Sequence, residues 1–388
     1  MSAIPVVYVI DHMGLGGQQT QLRAVLPALR VHGFAPTLLN LRRPTALSQA
    51  LEAAGVPVHS LGLPRWSPAQ LPILVGELRR LRPAIVHTAL IVGNLVGRAA
   101  ALLAAVPTLV MENQLSLSQE IYSVPTAVVL ATRLAEPFLA PRTACFLGPS
   151  QLVQAASAAA KGWPAARCRV LPNTVDCRRF APATNRAAAR AALGLPDRLT
   201  VATFGRFAPQ KRIGDVVELA RRVRAAGVDA QFLIAGGGPL EGELRRSIAE
   251  AGLEQHVWLL GRRHDTERIL AATDLYLSAS GGEVLSVAIL EAMASGCAVV
   301  ATRAGGTVEQ VTPGLTGQLA AVGDVAGLTQ AVLELLRRPD ERARLGANAR
   351  RAALASYDVP IIAARLASLY CEAMQISAQQ SAAPPRIA

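Results

Sequence analysis

The chain has 388 residues, of which 51% are hydrophobic, 4% aromatic and 17% charged. This length and composition are typical of an α/β enzyme with two domains, each able to bury its own core. The net charge of +12 suits nucleic acid, an anionic membrane surface or an anionic small substrate as a partner. Nucleic acid is the weakest of the three, because no lysine-rich block and no RNA-binding signature with interleaved aromatics occurs.

Cysteine usage and hydropathy indicate the compartment. The five cysteines are scattered and include no C-x-x-C pair, so neither a disulfide framework nor a zinc site is predicted. No stretch reaches the roughly 18 uncharged apolar residues of a membrane span, and the N-terminus lacks a basic leader region. We therefore expect a cytoplasmic protein in a reducing environment.

The first half of the chain alternates predicted strands and helices. A buried strand at residues 4–10 is followed by a glycine loop at 11–19 and an amphipathic helix at 21–29. A glycine loop between a strand and a helix suits a backbone that approaches phosphate, although this signal is weak alone. Further strands are predicted at residues 37–41, 56–60, 84–88, 108–111 and 145–150. Such alternation predicts a doubly wound parallel sheet.

Residues 121–139 are notably apolar and are interrupted by Pro125, Arg133 and Pro137. A helix here would either belong to the core or rest on a membrane surface beside a lipid acceptor. We expect a core helix.

The stretch 278–309 carries the densest pattern in the chain. It predicts a loop after a buried strand, a helix at 287–294 that ends at Gly296, a strand at 298–301 and a second loop. Loops at the carboxyl ends of parallel strands are where such sheets bind ligands. The eight-residue spacing of Glu283 and Glu291 would place them about 12 Å apart along one helix, too far for a paired acid/base or metal site.

The spacing instead suits one carboxylate in the loop and one in the first turns of the helix. Both would face a ligand at the helix N-terminus. The free N–H groups of Leu285, Ser286 and Val287 would then face an anion.

These residues carry a resemblance to a known family. Glu283-x7-Glu291, followed by Ala-Met-Ala-x-Gly and Gly305-Gly306-x-x-Glu309, resembles the retaining GT-B glycosyltransferases of family 4. The chain departs from the usual Gly-Phe-Gly or Gly-Phe-Pro after the first glutamate and reads Val-Leu-Ser. Residues 205–211 (GRFAPQK), 236–239 (GGGP) and 169–181 (RVLPNTVDCRRFA) resemble further family motifs.

The resemblance implies an α/β GT-B fold, with two Rossmann-like doubly wound parallel-sheet domains facing a cleft. Residues 1–172 would form the acceptor-side domain and residues 173–358 the nucleotide-sugar-binding domain. A helix at 359–374 would cross back to the first domain, and residues 375–388 would form a disordered tail.

The resemblance also assigns site residues. Arg206 and Lys211 would meet the donor diphosphate, because a planar fork and a point charge on one loop suit a leaving group that gains charge. Glu283 would accept a hydrogen bond from a hydroxyl of the transferred sugar. The other implied donor contacts are Glu291 at the ribose, Arg262 in the loop that borders the base, Gly16 and Gly17 near the diphosphate, and Asn113, which stands where many relatives have a histidine.

The implied activity is retaining transfer of a hexose-type sugar from a UDP- or GDP-sugar to a glycan or lipid-linked acceptor. The setting would be cell-envelope or exopolysaccharide biosynthesis in the cytoplasm, with peripheral contact at the inner membrane face and no nucleic-acid partner. No cofactor or metal is expected, because Asp-x-Asp is absent from the sequence and the basic loop and the helix N-terminus would replace a cation.

Two alternatives stay open. One is a non-transferring relative, either a nucleotide-sugar epimerase or an inactive binding module in which Asn113 has replaced the histidine. The other is a nicotinamide-dependent oxidoreductase, suggested by the first glycine loop and by Arg42-Arg43, where a 2′-phosphate could dock.

Overall fold

The computed structural model describes residues 3–14, 16–65, 67–112 and 125–382. Asn113 therefore lies outside the described residues. The chain divides into two compact units, here called unit 1 (Met1–Asn173 with Val359–Ala388) and unit 2 (Thr174–Asp358). The division falls within one residue of the boundaries predicted at 172/173 and 358/359.

Unit 1 contains a seven-stranded parallel sheet. Its strands are β1 (Ile4–Ile10), β2 (Phe34–Asn40), β3 (Val58–Ser60), β4 (Ile85–Ala89), β5 (Thr108–Glu112), β6 (Cys145–Gly148) and β7 (Cys168–Val170). They lie in the order β3-β2-β1-β4-β5-β6-β7. The order reverses between β1 and β4, which is where doubly wound sheets bind ligands.

Helices accompany these strands. They are α1 (Gly17–Ala28), α2 (Ala46–Ala53), α3 (Gln70–Leu81), α4 (Arg98–Leu103, preceded by a π-helical turn at Gly93–Gly97), α5 (Thr126–Leu139) and α6 (Gln151–Lys161). Successive residues of β1 enter different core clusters, with Val6 and Tyr8 on one side and Val7 and Val9 on the other. Both faces of the sheet are therefore buried, as expected for parallel strands of continuous apolar sequence.

Unit 2 contains a six-stranded parallel sheet. Its strands are β8 (Leu199–Arg206), β9 (Ala230–Gly237), β10 (Val257–Gly261), β11 (Leu275–Ser278), β12 (Ala298–Thr302) and β13 (Gly317–Ala320), in the order β10-β9-β8-β11-β12-β13. Its helices are α7 (Arg186–Ala192), α8 (Ile213–Ala225), α9 (Glu241–Glu250), α10 (Thr266–Ala271), α11 (Val287–Ala294), α12 (Thr307–Gln310), α13 (Val325–Arg337) and α14 (Pro339–Ser356). The order reverses between β8 and β11, so the loops after these two strands lie at the switch point. The two Rossmann-like sheets confirm the predicted fold class.

The last helix, α15 (Val359–Ala382), belongs to unit 1. Its Tyr370 hydroxyl lies 2.8 Å from Nδ1 of the buried His87 on β4. The helix continues eight residues beyond the predicted end at Met374, so the expectation of a disordered tail is wrong for residues 375–382. Within the described residues, α15 is long and apolar enough to cross a membrane, but Leu366, Tyr370 and Ala373 pack into the core of unit 1.

Helix α5 corrects a second expectation. Only Glu136 and Leu139 of this apolar helix are buried, whereas Leu130, Leu134 and Phe138 are exposed. The expectation of a core helix at 121–139 is therefore wrong for residues 126–139. Apolar composition alone could not separate the two readings, because the face of a helix that meets the protein depends on its neighbours.

Candidate active site

Three loops of unit 2 meet at Glu283. They follow β8, β11 and β12, which are neighbours in the sheet, so their carboxyl ends share one edge. The side chain of Gln210, in the loop after β8, donates to the carbonyl of Gly282 at 2.7 Å, and the N–H of Gly281 donates to the carbonyl of Gln210 at 2.7 Å. Gly306, after β12, donates its N–H to the carbonyl of Glu283 at 3.0 Å.

Glycine is required at position 305 of this junction. Gly305 has a φ of +50°, in the left-handed region, and a Cβ there would lie 1.9 Å from the carbonyl oxygen of Glu283. Any side chain would push the loop after β12 away from Glu283. The first glycine of the Gly305-Gly306 motif is therefore needed for the close approach of two backbones.

The Lys211 ammonium forms an ion pair with the Glu283 carboxylate. Both side chains are largely buried, with 25% and 10% of their surfaces exposed. The stem of Lys211 lies over Gly205, where a Cβ would be 3.5 Å from Lys211 Cδ. An ammonium carries three donors, so two of them are available for other acceptors after Glu283 is bound.

Glu291 has a different environment on α11. The Thr266 hydroxyl donates to its carboxylate at 3.4 Å, and the Glu291 carboxylate forms no ion pair within the described ranges. Burial raises the pKa of Glu291 to about 7, although the positive charge of Arg179 and the Thr266 hydrogen bond lower it. This carboxylate is therefore held in an environment that disfavours its charged form.

At the N-terminus of α11, one of the three N–H groups that were predicted to face an anion is already hydrogen-bonded within the protein. The Ser286 N–H donates to Oε1 of Gln310 at 2.8 Å, and Nε2 of Gln310 donates back to the Ser286 carbonyl at 2.8 Å. The Ser286 hydroxyl caps the helix by accepting from the Ile289 N–H at 3.4 Å. The expectation that the N–H of Ser286 faces an anion is therefore wrong, because a buried side chain already binds it. The buried Leu285 precedes this cap, and Val287 is the first residue of the helix.

Arg206 and Arg262 are exposed cations near these loops. The Arg206 guanidinium, at the end of β8, makes no hydrogen bond or ion pair within the part of the chain that the structure describes. Arg262 follows β10, and its side chain lies against Gly237 at the end of β9, where a Cβ would be 3.2 Å from Arg262 Nε. Both are free to meet a ligand.

In unit 1, the glycine loop lies after β1 at the reversal of strand order. Gly16 is the N-cap of α1, and Gly17 is its first residue. The φ of Gly16 is −172°, which is extended backbone that any residue can adopt. The backbone conformation therefore gives no reason of its own for glycine at position 16.

The Arg42 side chain is not free to bind the 2′-phosphate of a dinucleotide. Both Nε and Nη2 of Arg42 donate to Oδ1 of the buried Asp11, at 3.0 and 2.7 Å, and Nη1 donates to the Leu63 carbonyl at 3.0 Å. A phosphate would have to displace Asp11. This arrangement counts against Arg42 as the phosphate ligand of an oxidoreductase, whereas the neighbouring Arg43 is exposed.

Sequence reasoning missed three residues that shape the site. Gln210 joins two loops, Gln310 fixes the start of α11, and Thr266 donates to Glu291. Each acts across 24 or more residues of sequence, and neither Gln310 nor Thr266 belongs to a motif. Only Gln210 gave a sequence signal, because it lies within the motif at residues 205–211 and directly precedes Lys211.

Comparison with known proteins follows the same division. Residues 185–352 match the family model of glycosyl transferases group 1, and residues 16–174 match that of the glycosyl transferase 4-like domain. Together the two matches span most of the chain.

Two curated relatives illustrate the range of this similarity. Over 211 residues the chain is 37% identical to the GDP-mannose-dependent monoacylated alpha-(1-6)-phosphatidylinositol monomannoside mannosyltransferase of Corynebacterium glutamicum, covering 51% of this chain and 55% of that protein. Over 169 residues it is 30% identical to the N-acetyl-alpha-D-glucosaminyl L-malate synthase of Bacillus anthracis, covering 44% of each. The chain thus spans about half the length of the curated relatives it matches.

Solved structures extend the likeness over the whole fold. Anabaena HepE, solved in complex with UDP, has a TM-score of 0.82 at 22% identity and covers 95% of this chain and 100% of its own. The sucrose-phosphate synthase of Thermosynechococcus elongatus has a TM-score of 0.78 at 21% identity and covers 95% and 98%. Two family models and a shared fold lead to one conclusion: the chain belongs to the glycosyl transferases group 1, the GT-B glycosyltransferases of family 4.

Proposed function

We propose that this protein is a retaining glycosyltransferase. It moves a hexose-type sugar from a UDP- or GDP-sugar to a glycan or lipid-linked acceptor in cell-envelope or exopolysaccharide biosynthesis. The observation that carries the proposal is the meeting of three loops at Glu283, which brings Lys211 onto that carboxylate at the switch point of unit 2. The relatives support the same class, since the Corynebacterium enzyme is a GDP-mannose-dependent mannosyltransferase and HepE was solved with UDP.

In this proposal, the cations act on the leaving group. As the bond between the sugar C1 and the phosphate oxygen breaks, negative charge grows on the diphosphate, and Lys211 and Arg206 stabilise it. Lys211 keeps its contact with Glu283 and uses its other donors on phosphate, so the ion pair positions the ammonium beforehand. Gly16 and Gly17 remain candidates for close backbone approach to the diphosphate.

The carboxylates bind the rest of the donor. Glu283 accepts a hydrogen bond from a hydroxyl of the transferred sugar, and Glu291 accepts hydrogen bonds from the ribose hydroxyls. Arg262 borders the base. The acceptor oxygen forms the new bond to C1 on the face that the diphosphate leaves, and the departing phosphate oxygen takes the acceptor proton. These steps require no metal and no cofactor.

The experiment is turnover of a panel of nucleotide-sugars, led by GDP-mannose and UDP-glucose, with and without glycan and lipid-linked acceptors. We expect release of nucleoside diphosphate that depends on acceptor. Conversion of the donor without any acceptor would instead identify an epimerase. Thermal stabilisation by nucleotide-sugar with no turnover on any acceptor would identify a binding module.

We propose a cytoplasmic location with peripheral contact at the inner membrane face. Cell fractionation tests it: the protein should divide between the soluble and membrane fractions, and high salt should release the membrane-bound part.

A further inference from the structure

Helix α5 exposes one continuous apolar face to solvent. At about 100° per residue, Ala127, Ala131, Leu134 and Phe138 lie within about 60° of one another, and Leu130 flanks them. The side chains of Leu130, Leu134 and Phe138 are 56%, 65% and 71% exposed. We call these five residues the α5 face. Three large apolar side chains exposed on one helix stripe are unusual for a surface that stays in water.

The opposite side of α5 is anchored in unit 1. Glu136, half a turn away from the α5 face, accepts hydrogen bonds from Arg98 at 3.0 and 3.1 Å and from Trp163 Nε1 at 2.7 Å. Arg98 and Glu136 are buried, and Trp163 stacks on Phe146 with ring centroids 4.6 Å apart. Because this buried pair fixes the rotation of the helix, the α5 face cannot turn inward without breaking it.

The charge around the α5 face is one-sided. From residue 125 to residue 170 the chain has five basic residues and one acidic residue, which is the buried Glu136. Arg133 is exposed on the helix itself, and Arg142 donates to the Phe138 carbonyl at 3.4 Å. Arg167 donates to the Pro141 carbonyl at 2.9 Å, so it lies at the same end of α5. An apolar stripe bordered by arginines complements a surface with an acyl interior and anionic headgroups.

We propose that the α5 face docks on an anionic lipid bilayer. Leu130, Leu134 and Phe138 insert at the level of the headgroups, while Arg133, Arg142 and Arg167 contact the phosphates. A second copy of the chain is the less suitable occupant, because a symmetric contact would place the same arginines opposite each other. The inference deepens the proposed function, because it names the surface that would bring the protein to a lipid-linked acceptor. That purpose rests on the proposed function, whereas the docking itself is argued from the exposure and the charge of α5.

The test is flotation of the full chain with vesicles, which requires no sugar transfer. One set of vesicles is an equimolar mixture of phosphatidylglycerol and phosphatidylcholine, and the other is phosphatidylcholine alone. We expect binding to the anionic vesicles that falls with salt and is at least tenfold weaker on the neutral ones.

The variants are Leu134→Glu with Phe138→Glu, and separately Arg133→Glu with Arg142→Glu. The first pair should lower binding to anionic vesicles at least tenfold, and the second should lower it by a similar factor and remove most of the salt dependence. Leu315→Glu is the matched control, since this leucine is also half exposed and belongs to unit 2 rather than to α5. It should bind vesicles as the wild type does.

Circular dichroism and thermal melting of each variant check that unit 1, which carries α5, stays folded. The proposal is overturned if the wild-type protein does not bind anionic vesicles. It is also overturned if the Leu134→Glu/Phe138→Glu variant binds them as strongly as the wild type does. A dimer in sedimentation velocity that the same substitutions abolish would assign the α5 face to a second copy and also overturn it. Failure of sugar transfer alone would contradict the proposed function and leave the flotation result standing.

Discussion

The two glutamates of one motif lie in opposite electrostatic environments. Glu283 sits where three loops meet and is paired with Lys211, so its negative charge has a direct partner. Glu291 sits on the apolar helix α11, where burial raises its pKa to about 7 and its one hydrogen bond comes from Thr266. Two carboxylates eight residues apart therefore have different surroundings: an ion-pair partner at Glu283, and burial that disfavours the charged form at Glu291. The difference indicates separate roles, one beside the leaving group and one at a neutral hydroxyl.

Loss of the cation beside Glu283 should have the largest effect. Lys211→Ala removes a preorganised contact to the diphosphate and leaves Glu283 without its partner, so we expect kcat/KM to fall about a hundredfold or more. Lys211→Arg should restore part of the activity, and Arg206→Ala should cost at least tenfold. Steady-state kinetics on the donor measures these effects.

The matched control for the cations is Arg245→Ala, which removes an exposed arginine that pairs with Glu241 on α9. It should leave kcat/KM unchanged. Wild-type kinetics in Lys211→Ala or Arg206→Ala would contradict the assigned role of that cation.

The second prediction uses the raised pKa of Glu291. Its pKa is about 7 in the folded protein and about 4.5 in the unfolded chain, so the folded state binds the proton more tightly. The contribution of Glu291 to stability is therefore fully present below about pH 4.5 and is lost as the pH rises to about 7. Glu291→Gln removes this loss and should raise the free energy of unfolding at pH 8 by about 3 kcal/mol, because a difference of one in pKa corresponds to about 1.4 kcal/mol.

Thermal melts of wild type and Glu291→Gln from pH 5 to pH 8 measure the effect. The advantage of the variant should grow with pH up to about 7 and then level off. An advantage that does not change with pH would show that Glu291 is not held in a charge-disfavouring environment, and the contrast with Glu283 would be lost.

The third prediction concerns the segment between the two glutamates. Gln310→Leu removes both hydrogen bonds to the Ser286 backbone and leaves a buried N–H unsatisfied, which typically costs about 1–3 kcal/mol. Because the loop then no longer holds Glu283 and the start of α11 in place, we expect kcat/KM to fall about tenfold.

A second buried glutamine separates positioning from stability. Gln231 donates to Pro196 and Thr200 at the amino end of β9, away from the strand ends that carry the site. Gln231→Leu should lower the melting temperature as Gln310→Leu does, yet leave kcat/KM unchanged. An equal fall of kcat/KM in both variants would show that Gln310 only stabilises unit 2 and does not position the site.

The smallest expected effect is that of chelation. If Lys211 and Arg206 carry the diphosphate charge, EDTA should leave turnover unchanged. Loss of turnover in EDTA and its recovery with magnesium would show that the cations do not suffice.

Much of unit 2 could be predicted from its sequence, because the information is local. An apolar run, a glycine and a helix-forming segment predicted α11 with its bounds, and the spacing of Glu283 and Glu291 placed one in a loop and one on the helix. The loops after β11 and β12 were predicted to lie beside a ligand because loops at the carboxyl ends of parallel strands bind ligands in such sheets. The basic loop after β8 was predicted from its resemblance to a family motif.

What could not be predicted depends on contacts between distant residues. Nothing near Ser286 indicates that Gln310 binds its N–H, and an apolar composition does not indicate that α5 faces solvent. Nor does the polar, alanine-rich sequence after Met374 indicate a helix, because α15 is stabilised there by packing on unit 1, as with the buried Ser377. Side-chain partners across the fold decide these points.

The most direct test of separate roles for the two glutamates is calorimetric titration of UDP and GDP into Glu283→Gln and Glu291→Gln at pH 8, where Glu291 is ionised. The free nucleoside diphosphate has a ribose but no transferred sugar. Glu291→Gln should therefore weaken binding by roughly tenfold to a hundredfold, since hydrogen bonds to charged groups contribute about 1.5–3 kcal/mol. Glu283→Gln should leave the affinity nearly unchanged while kcat falls. Weaker binding in Glu283→Gln than in Glu291→Gln would contradict this assignment.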